Sequence, residues 1–336
     1  MTGSDNTFPR LTETETGYII ALVIDINEGF IMTLTKHTKA ILAAIGVYFI
    51  WGFTFLASSV AQRSASPMVL LMYRFDMASI FMLIPALLGR KKLSFKGKNV
   101  LPLILMGICE PVIYFIGEQY GIKYTNSSFA GICISVIPLV TMFMAAIFLK
   151  EKPHPLQWLF SVVSIGGVIA ISVFTTKAGG NITVKGVLWL ILAVATAGAY
   201  VTLNRVSSNA SFSGYERTIV VQLEGAVFFT LASIIENFSD LSALTAPAAQ
   251  PEFLPAVIYL ALFASAIGYS LHNYALDNAP VANVSTLNGL VTVISVIAGV
   301  VILGEPFSFK AAVAMVVVLG GIWGVQKFTP KQLKKT

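Results

Sequence analysis

Long apolar runs separated by short polar connections make up the chain from residue 39 to residue 327. A helix that crosses a lipid bilayer needs about 20 mostly apolar residues. The connections leave no room for a soluble domain, so the predicted fold class is all-α integral membrane. Ten runs have the required length and predict ten transmembrane helices, near residues 39–61, 67–89, 99–121, 126–149, 155–174, 185–204, 216–236, 253–276, 280–303 and 308–327.

The first 38 residues do not follow this pattern. Residues 1–17 are mostly polar, and the apolar run at residues 18–24 ends at Asp25, which makes it too short to span a bilayer. The run also lacks the basic start and the small-residue cleavage site of a signal peptide. We therefore expect residues 1–38 to be an N-terminal extension that is disordered or lies on the membrane surface, with Met32 as an alternative start.

The sequence repeats itself with a shift of 154 residues. Identical residues recur in the same order within apolar runs, which indicates an internal repeat. Five predicted helices lie at residues 39–174 and five at residues 185–327. Because five is odd, the second set enters the membrane from the opposite side, which predicts two inverted five-helix repeats. Without a gap, the shift aligns seven identical residues: Tyr120 with Tyr274, Leu149 with Leu303, Glu151 with Glu305, Val162-Val163 with Val316-Val317, and Gly166-Gly167 with Gly320-Gly321.

Basic residues lie mainly on one side of the predicted membrane. Cytoplasmic loops of membrane proteins are enriched in Lys and Arg, so this asymmetry predicts a multi-pass protein of the cell (inner, cytoplasmic) membrane with both termini cytoplasmic, including a basic tail at residues 328–336. With this orientation, fifteen basic residues are cytoplasmic: Lys36, Lys39, Arg90, Lys91, Lys92, Lys96, Lys98, Lys150, Lys152, Arg205, Arg217, Lys327, Lys331, Lys334 and Lys335. Five are outside: Arg63, Lys123, Lys177, Lys185 and Lys310.

Composition agrees with a lipid environment. The hydrophobic fraction is 56%, the charged fraction is 11% and the mean hydropathy is +0.80, whereas a soluble domain is about 25% charged. The net charge of +6 does not indicate nucleic-acid binding, because most of the positive charge lies in the loops that set membrane orientation.

Short motifs form an ordered set along the predicted helices: Trp51-Gly52-Phe53-Thr54-Phe55, Pro67 followed by Arg74, Tyr120-Gly121-Ile122-Lys123-Tyr124-Thr125, Pro138 before Leu149-Lys150-Glu151, Tyr274-Ala275-Leu276 and Leu303-Gly304-Glu305. Together these motifs resemble the drug/metabolite transporter superfamily, EamA type, over about residues 39–327. The resemblance implies a ten-helix transporter with a central cavity, usually exporting amino acids or other small metabolites. The chain departs from strict symmetry where Thr292 replaces the counterpart of Pro138, so helix 9 is expected to lack the kink of helix 4.

Glu110, Tyr114 and Glu118 are spaced four residues apart in predicted helix 3. Residues four apart share a helix face, and a charged side chain at a helix centre costs about 2.5–3.5 kcal/mol to insert. The stripe should therefore line a central cavity. Glu110 and Glu118 are the candidates for proton coupling, because a poorly hydrated site disfavours a charged carboxylate. A buried ion pair, for example of Glu110 with Arg74, is the structural alternative.

Further polar groups interrupt predicted helices 2 and 7. Arg74 and Asp76 lie two residues apart and point in different directions, so the permanent charge of Arg74 needs a partner from another helix or from an anionic substrate group. Gln222 and Glu224 in helix 7 likewise need a partner from another helix or from the substrate. We count Arg74, Gln222 and Glu224 among the candidate cavity residues.

Trp51, Tyr200, His272 and Asn288 complete the candidate cavity. Trp51 lies near the middle of helix 1, away from the membrane interfaces where aromatic residues act as anchors. Tyr200 is in the first helix of the second repeat. His272 aligns with Glu118 by the 154-residue shift, and it either carries a proton or fills a packing role. Asn288 belongs to a polar stripe that lines the cavity or holds helices together.

The predicted function is secondary active transport by alternating access, in the direction of export. Uptake is the alternative within this class, and a passive channel or an intramembrane enzyme is the alternative outside it. No clustered acid, base or nucleophile favours an enzyme, and no metal cluster or phosphate-binding loop indicates a metal, a cofactor or ATP. The expected partners are a small-molecule substrate, the lipid bilayer and protons, with no nucleic acid; monomer and homodimer both stay open.

Overall fold

The computed structural model describes residues 35–89, 93–148, 152–177, 181–209, 212–279, 284 and 287–328. Within these residues the structure is helical and contains no β-strand. Nine of the described helices are long and apolar enough to cross a membrane, and a tenth apolar helix is shorter. Residues 1–34 of the predicted extension and residues 329–336 of the predicted tail lie outside the described residues.

We label the ten helices α1 to α10 in chain order. The prediction of ten helices is confirmed, although α1 begins at Lys36 rather than at residue 39, and α9 begins at Gly289 rather than at residue 280. The helices span Lys36–Ala61 (α1), Pro67–Leu87 (α2), Leu101–Tyr124 (α3), Ser127–Ile134 with Ile137–Phe148 (α4), Pro155–Lys177 (α5), Val184–Asn209 (α6), Gly214–Glu236 (α7), Phe253–Leu276 (α8), Gly289–Leu303 (α9) and Phe309–Lys327 (α10).

Polar side chains cap several helices at their first turn. Ser66 accepts a hydrogen bond from the backbone N–H of Val69 before α2, and Ser308 accepts one from Ala311 before α10. Ser213 and Glu216 form a reciprocal capping box at the start of α7. These bonds satisfy amide groups that a helix leaves free, which matters most where lipid cannot supply a partner.

The counterpart helices α3 and α8 both depart from regular α-helix near their middles: α3 is kinked within Ile108–Ile113, and α8 is π-helical at Tyr259–Gly268. In α3 the cause is local. Pro111 has no N–H and disfavours the helical conformation at the preceding residue, and Glu110 is accordingly extended, with φ −147° and ψ 110°. Such interruptions occur frequently at functional sites.

The helix α4 is interrupted at Ser135 and Val136, just before Pro138. Its counterpart α9 runs unbroken from Gly289 to Leu303, through Thr292, and a turn at Leu287 and Asn288 precedes it. Residues 280–283, 285 and 286 lie outside the described residues, so the expectation that helix 9 lacks the kink of helix 4 stays a prediction.

Contacts between the two sets of five helices follow an inverted symmetry. α1 packs on α8, α3 packs on α6, and α2–α7, α4–α9 and α5–α10 join counterparts. Exchanging the two sets turns the α1–α8 contact into the α6–α3 contact and leaves the other three pairs unchanged. Two inverted five-helix repeats, related by an axis in the membrane plane, produce this pattern.

Successive helices cross the bundle in alternate directions, which defines two faces. The connections α1–α2, α3–α4, α5–α6, α7–α8 and α9–α10 lie on one face, which we call the distal face. The proximal face carries Lys36 and Lys327, the two ends of the described bundle.

The bundle is apolar outside and polar inside. Large side chains of α5 and α10, such as Val162 and Val316, point outward and are exposed, whereas Arg74, Gln119 and Gln222 are buried. This arrangement suits a lipid solvent, which cannot hydrogen-bond polar groups. The polar side chains within the bundle therefore form the candidate site.

Close packing of α5 on α10 depends on glycine. A Cβ added at Gly321 would lie 2.7 Å from Ser164 Cβ and 2.8 Å from Phe160 O, whereas one added at Gly320 would meet no atom within 4 Å. We expect Gly321→Ala to lower the free energy of unfolding by about 1–3 kcal/mol, because the contact becomes overpacked. The matched control Gly320→Ala should be neutral or slightly stabilising. Thermal unfolding in detergent tests this, and equal melting temperatures for the two variants would contradict it.

Candidate substrate site

Arg74 of α2 is a buried cation with no carboxylate partner in the part of the chain that the structure describes. Its side chain is buried, Nε donates a 2.9 Å hydrogen bond to Ser265 Oγ of α8, and Cζ lies 4.3 Å from the ring centroid of Phe115. Among the described residues, Nη1 has no hydrogen-bond partner and Arg74 forms no ion pair. The ion pair considered between Arg74 and Glu110 is therefore not formed, and a charged donor stays free inside the bundle.

The interruption of α3 directs Glu110 toward the second repeat. Its carboxylate is buried and accepts a hydrogen bond from the hydroxyl of Tyr269 in α8. The bond connects the two repeats directly. Because the backbone at Glu110 is extended, this side chain departs from the regular helical stripe that its spacing to Tyr114 and Glu118 predicts.

Glu118 is bound within the first repeat instead. Tyr114 donates to its Oε1 at 2.8 Å, as their four-residue spacing allows, and Gln119 Nε2 donates to its Oε2 at 3.0 Å. Gln119 also bonds to Ser58 in α1 and to Gln62, the residue that follows α1. The described hydrogen bonds that hold Glu118 and Gln119 therefore all lie within the first repeat.

Both carboxylates lie within electrostatic range of Arg74 but not in contact with it. The three groups place one positive and two potentially negative charges in the interior. Such charges persist in a membrane protein where they face a cavity, a partner or a substrate.

Aromatic rings from both repeats surround the group formed by Glu110 and Tyr269. Trp51 of α1 donates from Nε1 to a backbone carbonyl of α8 at 3.0 Å, and its ring centroid lies 4.9 Å from that of His272 and 5.5 Å from that of Tyr269. Tyr200 of α6 packs in the same cluster. We call the whole group the central cluster: Trp51, Arg74, Glu110, Tyr114, Glu118, Tyr200, Tyr269 and His272.

Among the described residues, Gln222 and Glu224 of α7 form no hydrogen bond with the central cluster. Gln222 is fully buried, and neither of its amide atoms has a hydrogen-bond partner among the described residues. Glu224 is half-buried with its carboxylate against Gly107, where a Cβ would overlap it. Asp76, by contrast, accepts a 3.0 Å hydrogen bond from Thr230, which joins α2 to α7.

Asn288 lies apart from these contacts. It is half-buried at the turn before α9, and in the described part of the chain no hydrogen bond connects its side chain to the central cluster. Ser285, from the same predicted polar stripe, lies outside the described residues.

Three residues that bond to members of the central cluster are not among the sequence candidates: Ser265, Gln119 and Tyr269, which itself belongs to the cluster. Gln119 is an amide next to Glu118 within an apolar run. A polar side chain at such a position indicates a candidate for the site. Ser265 and Tyr269 had no such signal, because serine and tyrosine are ordinary in membrane helices. Only the packing of α8 against α2 and α3 reveals their roles.

The arrangement of two five-helix repeats agrees with a comparison of the sequence with models of known protein families. The model of the EamA-like transporter family matches the chain twice, at residues 38–173 and 184–326. The chain belongs to the EamA-like transporter family. The resemblance indicated by the sequence motifs is confirmed, and each match covers five of the ten helices.

Relatives of this EamA-like transporter extend over most of its length. The transporter YcxC of Bacillus subtilis (strain 168) is 30% identical over 306 residues, which cover 90% of this chain and 98% of YcxC. A protein of Streptantibioticus cattleyicolor named "Probable terminal-alkyne amino-acid exporter" is 27% identical over 273 residues, 80% of this chain and 87% of that protein. The relatives are named as transporters, so the EamA-like protein is a multi-pass membrane transporter.

A solved crystal structure shares the fold. It superposes with a TM-score of 0.60 at 20% sequence identity and covers 85% of this chain and 96% of its own. At this identity the likeness concerns the fold alone.

Proposed function

We propose that this EamA-like transporter is a secondary active transporter that exports amino acids or other small metabolites across the cytoplasmic membrane by alternating access. The observation that carries the proposal is the position of the central cluster, which has members from both inverted repeats. When one repeat rocks against the other, a site between them is exposed first to one face and then to the other.

The charges of the cluster favour an amino acid. The planar guanidinium of Arg74 suits a carboxylate, and its free Nη1 offers a donor. Glu118 can balance an ammonium group, and the ring of Trp51 can contact either a cation or an apolar side chain. The name of the Streptantibioticus relative, an amino-acid exporter, supports the same substrate class.

Proton coupling through Glu110 or Glu118 completes the proposal. A carboxylate that exchanges its proton in the site allows a gradient to drive the substrate. Glu224, His272 or facilitated diffusion are the alternatives if neither carboxylate is involved.

Purified protein in liposomes tests the function. Amino acids, nucleosides and organic cations are offered as labelled substrates, with and without a pH gradient. We expect amino acids to exchange and a pH gradient to accelerate their movement relative to protein-free liposomes. Exchange of nucleosides or organic cations alone would overturn the substrate class, and no exchange of any compound would overturn secondary transport.

The orientation of the protein is tested by cysteine labelling. Lys96 and Ser242 are both exposed, in the α2–α3 connection of the proximal face and the α7–α8 connection of the distal face. In a Cys109→Ala/Cys133→Ala background, an impermeant maleimide should label Ser242→Cys in intact cells and Lys96→Cys only after permeabilisation. The opposite result would place both termini outside, and labelling of both sites from one side would contradict the odd number of helices in each repeat.

A further inference from the structure

Glu305 connects the two repeats at the distal face. It follows the left-handed residue Gly304 at the end of α9 (φ 68°), and its Oε1 accepts hydrogen bonds from the backbone N–H and the hydroxyl of Ser127 at 2.8 and 2.7 Å. Its Oε2 accepts from the N–H of Ser128 at 2.9 Å and from the Ser128 hydroxyl. One carboxylate of the second repeat therefore binds four donors on the first turn of α4. We call this arrangement the distal clamp.

Local sequence dictates the geometry of the clamp. Gly304 has a conformation that residues with a side chain rarely adopt, and it turns the chain back over the end of α9. Gly299 leaves space for the clamp, since a Cβ there would collide with both serine hydroxyls and with the Glu305 carboxylate. The bonds are charge-assisted and lie at the positive end of α4, so each is stronger than a bond between neutral groups.

The clamp lies between α4 and α9, which are counterparts from the two repeats. Below it the same pair stays in close contact, because a Cβ at Gly131 of α4 would overlap Ser295 of α9. Ser295 is buried. If α4 and α9 separate to open the distal face, the four bonds of the clamp must break first.

The proximal face has no equal counterpart in the sequence. By the 154-residue shift, Glu151 corresponds to the clamp glutamate, but Val281 and Ala282 replace the two serines, and Ala145 and Lys150 replace the two glycines. The side chains of these residues lie outside the described part of the structure.

We propose that the distal clamp is a lock that holds the distal face closed. The transporter without substrate therefore rests with its distal face closed. The proposal rests on the alternating access proposed above. It assigns the proximal face as the side from which substrate enters first, as export requires if that face is cytoplasmic.

The rate at which a thiol reagent labels Ser295→Cys, in the Cys109→Ala/Cys133→Ala background, reports whether the distal face is closed. The measurement needs no substrate. An impermeant methanethiosulfonate reagent is applied from the side on which Ser242→Cys is labelled. We expect slow labelling with the clamp intact and labelling about tenfold faster or more with Glu305→Gln, since two of its four bonds lose their acceptor. Ser127→Ala/Ser128→Ala should act in the same direction while keeping the carboxylate on the backbone amides.

Ser308→Ala is the matched control. It removes a capping hydroxyl on the same face, but the bond it breaks lies within one repeat. Unchanged labelling in both clamp variants would overturn the lock, and so would equal acceleration by Ser308→Ala. Melting temperatures show whether each variant is folded. If Glu305→Gln is unfolded, the labelling rate of Ser127→Ala/Ser128→Ala tests the lock instead. Failure of the liposome screen would not change the labelling, so the two proposals can fail separately.

Discussion

Replacing Arg74 with alanine is expected to abolish most substrate binding. The side chain is 2% exposed and offers a charged donor, Nη1, that no described residue satisfies. Removing one member of a buried charge pair costs about 3–5 kcal/mol, so affinity should fall by at least about 100-fold. The affinity of Arg74→Lys should lie between those of the unaltered protein and Arg74→Ala. Lysine keeps the positive charge but loses the planar guanidinium that fits a carboxylate. Labelled amino-acid exchange in liposomes gives the KM for each variant.

Arg63→Ala is the control for loss of an arginine. Arg63 is exposed and pairs with Glu252 at 3.4 Å on the distal face, and such surface pairs contribute about 0–1 kcal/mol. Its KM should stay unchanged. If folded Arg74→Ala exchanges amino acids with an unchanged KM, the guanidinium does not contact the substrate, and its bond to Ser265 is structural.

The fold was largely predictable because its determinants are local and repeated. Apolar length marks each helix, as at Pro67–Leu87, and the shift that places Glu151 on Glu305 gives the inverted repeats. Helix ends were less predictable. The apolar run suggested that helix 9 begins at residue 280, whereas the described helix begins at Gly289, because a turn interrupts the run without a proline to signal it.

The site was predictable in its charges but not in its pairing. An acid or a base inside an apolar run is visible in the sequence, so Arg74, Glu110 and Glu118 were identified as candidates. Their partners depend on how helices from the two repeats meet. The kink at Glu110 moves that carboxylate off the stripe that four-residue spacing predicts, and toward Tyr269 of the other repeat.

This difference in pairing makes Glu110 the better candidate for proton coupling. The bond from Tyr269 to Glu110 spans the two repeats, while the bonds of Glu118 come from Tyr114 and Gln119 in the first repeat. A hydrogen bond to a carboxylate is roughly twice as strong as one to a neutral acid. Protonation of Glu110 therefore weakens a link between the repeats, which couples the proton to their relative movement.

Glu110→Gln is expected to abolish the acceleration of transport by a pH gradient while leaving exchange at equal pH. Glutamine keeps the shape and an acceptor for Tyr269, but it cannot titrate. Glu118→Gln is the matched comparison on the same helix and should retain most of the acceleration. Tyr269→Phe, which removes the donor but keeps the ring against Trp51, should weaken the coupling without removing it. If both glutamine variants respond to the gradient as the unaltered protein does, coupling through α3 is wrong, and Glu224, His272 or facilitated diffusion becomes the better account.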